Sequence, residues 1–171
     1  MTIFIHPTAK VDDTAKIGEG TKIWDYARVR NAVIGENCII GKNVYIDEGV
    51  VIGNNCKIQN NVSVYHGVTV EEGVFLGPSV ITTNDKNPRA INPDGTQKSA
   101  TDWEITKTLI KSGASIGAGS VIVCGVILGK WCLVGSGSCV TKDIPDYGLA
   151  YGNPAKVHGK VDESGNIVER Y

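Results

Sequence analysis

Few side chains in this sequence can move a proton or attack a carbonyl carbon. The histidines are His6, His66 and His158, and a histidine is the side chain best poised to act as a base near neutral pH. His66 follows Val64-Tyr65 and stands just ahead of a long polar stretch, whereas His6 and His158 read as surface residues near the two ends. Glu71 and Glu72 are adjacent carboxylates. Neighbours on a strand point to opposite sides, so the two are not expected to work as a pair. The five cysteines are odd in number, scattered and without a CxxC, which argues against a disulfide framework and against a zinc site. A zinc held by three histidines would need His6, His66 and His158 brought together from distant parts of the chain.

What must position these groups is a repeat. From Ile34, steps of six reach Ile40, Ile46, Ile52, Ile58, Val64, Val70, Leu76 and Thr82. Glycine follows directly at Gly35, Gly41, Gly53 and Gly77, and four places on stand Cys38, Val44, Val50, Cys56, Val62, Val68, Val74 and Val80. Six residues turn a 3.6-residue helix through about 600°, so these positions would drift around a helical cylinder. Hexads of this kind build a parallel β-helix from short strands and tight corners.

The frame starts at Ile5, Val11, Ile17, Ile23 and Val29, then takes a step of five to Ile34, which predicts a tightened turn near Asn31-Ala32. It breaks after Thr82 and resumes at Ile110, Ile116, Ile122, Leu128, Val134 and Val140. The chain is thus read as one domain, 1–171, with coils over about 3–82 and 110–145, an extruded loop at 83–109, and an exit and tail at 146–171. Twenty hexads at three per coil predict six to seven coils. The loop carries Pro88, Pro93 and an Asp94-Gly95 turn signal, and loops of this length inside compact domains are usually functional. The tail's Ser164-Gly165-Asn166 suggests a small hairpin. Cys38, Cys56 and Cys132 fall on inward positions, while Cys124 and Cys139 lie off them and are expected nearer the surface.

Seventeen Lys and Arg against eighteen Asp and Glu leave a net charge of -1, which offers no basic surface for nucleic acid or an anionic membrane. No window approaches a membrane span, and Met1 to Pro7 lacks a basic region followed by an apolar run, so a cytoplasmic protein is expected.

The hexads, the mid-chain loop and the Gly152-Asn-Pro-Ala-Lys156 exit together resemble the hexapeptide acyltransferases that use acetyl-coenzyme A. More narrowly, Ile23-Trp-Asp-Tyr-Ala-Arg-Val29, Cys56-Lys-Ile-Gln-Asn-Asn-Val-Ser-Val-Tyr65, Glu71-Glu-Gly-Val-Phe-Leu-Gly-Pro78, Thr83-Asn84, Asn87-Pro-Arg89 and Ile122-Val-Cys-Gly-Val126 resemble the nucleotide-linked 3-amino-sugar N-acetyltransferases. The resemblance implies an all-β, left-handed parallel β-helix, a homotrimer with active sites between subunits, acetyl-CoA as co-substrate and no metal. It points first to enzymes that acetylate UDP-2-acetamido-3-amino-2,3-dideoxy-glucuronate for surface polysaccharides or glycans. The alternative is an enzyme of dTDP-linked 3-amino-6-deoxyhexoses. The sequence departs from the group's pattern at Trp24-Asp25-Tyr26, where Trp-His-Phe is expected. Outside this class, a γ-type carbonic anhydrase and a non-catalytic binding solenoid remain alternatives.

The resemblance also implies roles. Asn84 would hold the sugar amine through its side-chain carbonyl, with backbone amides of neighbouring coils at the oxyanion; read alone, Asn84 is more readily an ordinary Asx-turn corner residue. Substrate contacts would come from Arg28, Arg30, Gln59, Asn60, His66, Glu72 and Arg89, an arginine fork suiting a uronate carboxylate. Coenzyme A would run along the last coils at Lys111, Gly117, Lys130, Gly135, Ser136, Asn153, Pro154 and Lys156, with Trp131 against the adenine or at a subunit contact.

Overall fold

The computed structural model describes residues 2–171. Two- and three-residue strands wind into a three-sided prism, and corresponding strands stack in parallel along each side. The first sheet runs from Phe4–Ile5 through Lys22–Ile23, Ile39–Ile40, Lys57–Ile58, Phe75–Leu76, Ser115–Ile116 and Leu133–Val134 to Gly148–Gly152. The second runs from Lys10–Val11 through Tyr45–Ile46, Ser63–Val64 and Ile81–Thr82 to Cys139–Val140. The third runs from Lys16–Ile17 through Val33–Ile34, Val51–Ile52, Val68–Val70 and Thr108–Ile110 to Ile127–Leu128, beyond which Ile144 bridges Leu128. We call the turns after the first, second and third sheets the first, second and third corners. Seven coils are complete and Gly148–Gly152 begins an eighth, slightly more than the six to seven expected.

The hexad leads form the core. Ile40, Ile46, Ile58, Val64, Val70 and Leu76 are fully buried, and the plus-four residues Cys38, Val50, Cys56 and Val62 fill the space between them. Each such aliphatic contributes roughly 1.5–3 kcal/mol by leaving water, and stacking repeats the gain on every layer. Corners turn through one left-handed residue, as at Asn37, Asn43, Asn55 and Asn61, a conformation that asparagine tolerates and most residues resist. The five-residue step contains none, and residues 30–32 turn through a single bend. Pairing absorbs the missing residue, since Lys16 pairs with Val33 while Val33 pairs with Val51. The tightened turn is present as expected.

The hexad glycines have a structural cause. A Cβ on Gly41 would lie 2.6 Å from Asn60 Oδ1, which accepts the amide of Lys42 at 2.9 Å. Gly35 clears the same space for Asn54, whose Oδ1 accepts the amide of Glu36 at 2.8 Å. The bare corner lets the next coil cap it.

Three points differ from expectation. Thr108 and Leu109 belong to a strand paired with Val68–Val70, so the extruded segment is 83–107. Cys124 is buried, because the neck of the loop covers its corner and Thr83 Oγ1 accepts its amide at 2.9 Å; Cys139 is half-buried. The exit is ordered as strand, with Gly148–Gly152 antiparallel to Ala155–Val161 and the pair turning at Asn153-Pro154. The expected tail hairpin is present, Ala155–Val161 with Ile167–Arg170, and Asp162 Oδ1 accepts the amides of Ser164 and Asn166 across its turn.

Candidate functional site

The second corner stacks Asp47-Glu48-Gly49, Tyr65-His66-Gly67, Thr83-Asn84 and Val123-Cys124-Gly125 on successive coils. Asn84 is half-buried where the loop leaves the prism, and its main-chain carbonyl accepts the amide of Thr106 at 2.9 Å, where the loop returns. The Asx turn belongs to the next residue, Asp85, whose Oδ1 accepts the amide of Asn87 at 2.8 Å. Among the described residues the Asn84 side-chain amide has no hydrogen-bond partner, so its carbonyl oxygen can accept from an amine. The returning strand crosses Gly67, where an added Cβ would run into Ile105 Cγ2, and Thr108 donates its amide to the Gly67 carbonyl at 3.1 Å. Thr106 passes beneath Gly125.

His66 sits one coil below Asn84, its ring over Gly49, where a Cβ would be 2.9 Å from Nε2. Below it lies a polar cluster. Asp47 Oδ1 accepts from Tyr45 Oη at 2.9 Å and from Arg30 at 3.2 Å, and Oδ2 accepts the His66 amide at 3.4 Å. Burial opposes ionisation of Asp47, yet these hydrogen bonds, the amide of Glu48 and the Arg30 charge outweigh it and hold the carboxyl below its ordinary range. Tyr65 packs against Tyr45 with ring centroids 5.6 Å apart.

The expected arginines divide. Arg30 is bound to Asp47 and to Glu48 Oε2 at 3.0 Å, and Arg28 to Asp12 at 2.6 Å. Arg89 lies in the loop and is exposed, and among the described residues its guanidinium donates only to the Pro88 carbonyl at 3.1 Å.

Other expected residues fall on other corners. Gln59 and Asn60 occupy the first corner beside Trp24 and Asp25, and the Asn60 carbonyl is committed to Lys42 as described. Gly117, Gly135 and Ser136 continue that corner upward; the main chain of Ser136 fills the space a Gly117 Cβ would need, and Tyr151 lies against Gly135. The hairpin carrying Asn153, Pro154 and Lys156 grows from Tyr151, so these cofactor candidates are brought to one end. Glu72, Lys111 and Lys130 occupy the third corner instead. There Glu71, not Glu72, is engaged, its Oε2 accepting from both Ser112 N and Ser112 Oγ at 2.8 Å, which holds its carboxyl below the usual range. Lys111 Nζ lies 3.7 Å from Asp146. Trp131 covers Gly113, where an added Cβ would run into its ring.

Tyr45, Asp47, Tyr65 and Thr106 escaped the sequence reading. The coil period could have placed Asp47 beneath His66, because residues about eighteen apart stack. Nothing in the loop's sequence announces Thr106. Among the described residues no three His, Cys, Asp or Glu side chains are grouped to hold a metal ion. Burial pushes the Cys132 thiol up to about 12, and Cys38 and Cys56 are wholly enclosed.

Two family patterns match the chain. "Hexapeptide repeat of succinyl-transferase" covers residues 31–66 and 112–142, and "bacterial transferase hexapeptide (six repeats)" covers 49–84. The coils are hexapeptide repeats. With these repeats the prism is a left-handed parallel β-helix, the hand opposite to most parallel β crossovers. The chain is 64% identical over 55 residues to dTDP-3-amino-3,6-dideoxy-alpha-D-galactopyranose 3-N-acetyltransferase of Aneurinibacillus thermoaerophilus, a match spanning 32% of this chain and 29% of that protein. It is 38% identical over 88 residues to galactoside O-acetyltransferase of Lactococcus lactis, spanning 52% of this chain and 41% of the relative. The chain therefore spans less than half the length of these two curated relatives. A hexapeptide-repeat acetyltransferase of Vibrio cholerae, solved with acetyl coenzyme A, superposes with a TM-score of 0.65 at 21% identity over 84% of this chain and 72% of the other. At that identity the likeness speaks for the fold.

Proposed function

We propose that this chain is an acetyl-coenzyme-A-dependent N-acetyltransferase acting on the 3-amino group of a nucleotide-linked amino sugar, and that the sugar is a dTDP-linked 3-amino-6-deoxyhexose. The observation that carries the acceptor is the 64% identity to an enzyme of that name. The arginines support it. A uronate carboxylate calls for a free guanidinium fork, and Arg28 and Arg30 are already occupied by Asp12, Asp47 and Glu48, which leaves Arg89 alone of the three expected arginines. The UDP-glucuronate acceptor expected from sequence therefore has less in its favour than the deoxyhexose.

Acetyl-coenzyme A supplies the activated acetyl group. The chain's part is to hold the amine and keep it neutral. Asn84 accepts one amine N–H through its free carbonyl, which orients the nitrogen lone pair toward the acyl carbon. His66, one coil below, takes the proton from nitrogen as the C–N bond forms and the thioester C–S bond breaks, and returns it to the departing thiolate, which leaves as the free thiol of coenzyme A. At the upper end the first corner stays open, as Gly119 and Gly137 have no atom within 4 Å of a Cβ position, and Lys156 makes no ion pair among the described residues. That end suits a long phosphate-bearing arm.

One chain spreads these groups over three corners that face away from one another. A complete site calls for a second copy. The outer positions of the third sheet are Lys16 at its lower end and then Val33, Val51, Thr69, Leu109 and Ile127, the least charged row of the three, and Val33, Val51 and Ile127 are each 42% exposed. The other sides carry Lys22 and Lys57, or Lys10 and Arg28, outward. Self-association through the third sheet in a closed ring of three brings the Asn84 corner of one copy toward the Lys111 and Lys130 corner of the next.

The test is thiol release from acetyl-coenzyme A with a panel of dTDP- and UDP-linked amino sugars. Turnover with a dTDP-3-amino-6-deoxyhexose at least about tenfold above the UDP-3-amino-uronate supports the reading; no thiol release with any amino sugar refutes it.

A further inference from the structure

The loop at 83–107 shapes an open surface cavity that the reading above leaves unused. It measures about 530 Å³ and is walled by Asp85, Arg89, Gln97, Lys98, Ser99 and Trp103. Small-molecule sites commonly have volumes of this order. The loop shapes this cavity with its own hydrogen bonds. Asp102 Oδ2 accepts from Ser99 N at 2.7 Å, Ser99 Oγ at 2.8 Å and Asn92 Nδ2 at 3.4 Å. Lys98 donates its amide to the Ala90 carbonyl at 3.0 Å, and Ile91 bridges Gln97 in antiparallel fashion.

The walls present two cations and one large aromatic ring. Arg89 donates only to a carbonyl, and Lys98 forms no ion pair among the described residues. The nearby carboxylates are turned to the loop itself. Asp102, which feels the Lys98 charge, takes its hydrogen bonds from Ser99 and Asn92 on Oδ2, and Asp85 Oδ1 accepts the Asn87 amide. Arginine and lysine together suit a diphosphate, and a half-buried indole suits a planar base.

We propose that this cavity binds the diphosphate of a nucleoside-diphosphate ligand on Arg89 and Lys98, with Trp103 against the base. The identity of the ligand as the acceptor's nucleotide rests on the function proposed above. Coenzyme A also carries a diphosphate, and reach separates the two. In a nucleotide sugar the diphosphate hangs on the same ring as the reacting amine. In coenzyme A the whole pantetheine arm separates it from the thioester. The cavity begins at Asp85, the neighbour of Asn84, so the nearer diphosphate is the one that fits. Arg89 is thereby assigned to phosphate and not to a sugar carboxylate.

The experiment is calorimetric titration of dTDP, thymidine and coenzyme A into the full chain, its Arg89→Gln/Lys98→Gln double variant and Trp103→Leu. The double variant is expected to raise the Kd for dTDP at least about tenfold and leave that for coenzyme A unchanged; Trp103→Leu weakens thymidine and dTDP together. In turnover, the double variant raises the KM for the nucleotide sugar and keeps kcat within about twofold. Equal dTDP affinity in wild type and double variant overturns the cavity assignment while leaving acetyl transfer intact. Loss of coenzyme A affinity alone gives the cavity to the other diphosphate and also overturns it. A wild type that neither binds dTDP nor acetylates a nucleotide sugar defeats both readings. Should the double variant melt early, Lys98→Gln alone with the salt dependence of dTDP binding decides, since a lost phosphate contact flattens that slope and an unchanged slope refutes the contact.

Discussion

The main-chain carbonyl of Asn84 accepts the amide of Thr106 at 2.9 Å, joining the two sides of the loop's neck two residues beyond the end of the hexad ladder at Thr82. The bond uses the backbone of Asn84 and leaves its side chain free. Backbone position and side-chain chemistry can therefore be separated by mutation.

Asn84→Ala keeps that neck bond and removes only the amide. It should lower kcat by more than about tenfold with the melting temperature unchanged. Full-rate turnover in steady-state kinetics would remove Asn84 from the mechanism.

Gly67 and Gly95 both have φ near +90° but differ in surroundings. A Cβ on Gly67 would collide with Ile105, whereas Gly95 at the loop tip has no atom within 4 Å. Gly67→Ala should displace the returning strand and cost about 2–3 kcal/mol in strain and overlap, and Gly95→Ala about 1 kcal/mol. Denaturant melts and activity of the two variants check this, activity falling only in the first.

Asn60 separates scaffold from substrate. If its carbonyl serves only to cap Lys42, Asn60→Ala lowers stability by about 1 kcal/mol and leaves the KM for the nucleotide sugar as it was. A raised KM with unaltered melting would restore the substrate role expected from the motif.

Glu71 gives a pH signature. Its two hydrogen bonds from Ser112 hold the carboxyl below the ordinary 4.5. A carboxyl depressed in the folded state stabilises above its unfolded value and loses that contribution as pH falls through the folded one. Glu71→Gln should melt below the wild type at pH 7, and the gap should close as pH drops under 4.5. A gap that is constant with pH would show that the charge is not the source.

Val51 tests the third sheet. On the closed ring proposed above, Val51→Lys places a charge at the middle of the third sheet's outer row, where it should dissociate the copies and abolish activity. Sedimentation equilibrium reads the first effect. A wild type that sediments as one chain refutes the closed ring.

The scaffold was legible in the sequence because a hexad ties every inward aliphatic to the next by a fixed count. Ile40, Ile58 and Leu76 could be placed above one another before any coordinates, and the five-residue step at Asn31-Ala32 showed as a slip in that count. Cys124 was misjudged because its burial comes from the loop's neck, a long-range contact outside the period.

The site was legible only in part. Counting stops at Thr82, so it could mark Asn84 and the loop as the place of interest but not fold them. That Arg28 and Arg30 are spent on Asp12, Asp47 and Glu48, that Gln59 and Glu72 face different corners from Asn84, and that Arg89 shares a cavity with Lys98 and Trp103 were decided by tertiary structure alone. The physical reason is what the count leaves open. The hexad acts through neighbours one coil away, and the same count brings Arg28 level with Asp12 and Arg30 level with Asp47 and Glu48; which of those side chains then pair, and how the loop returns to the prism, depends on rotamers and contacts that no local pattern encodes.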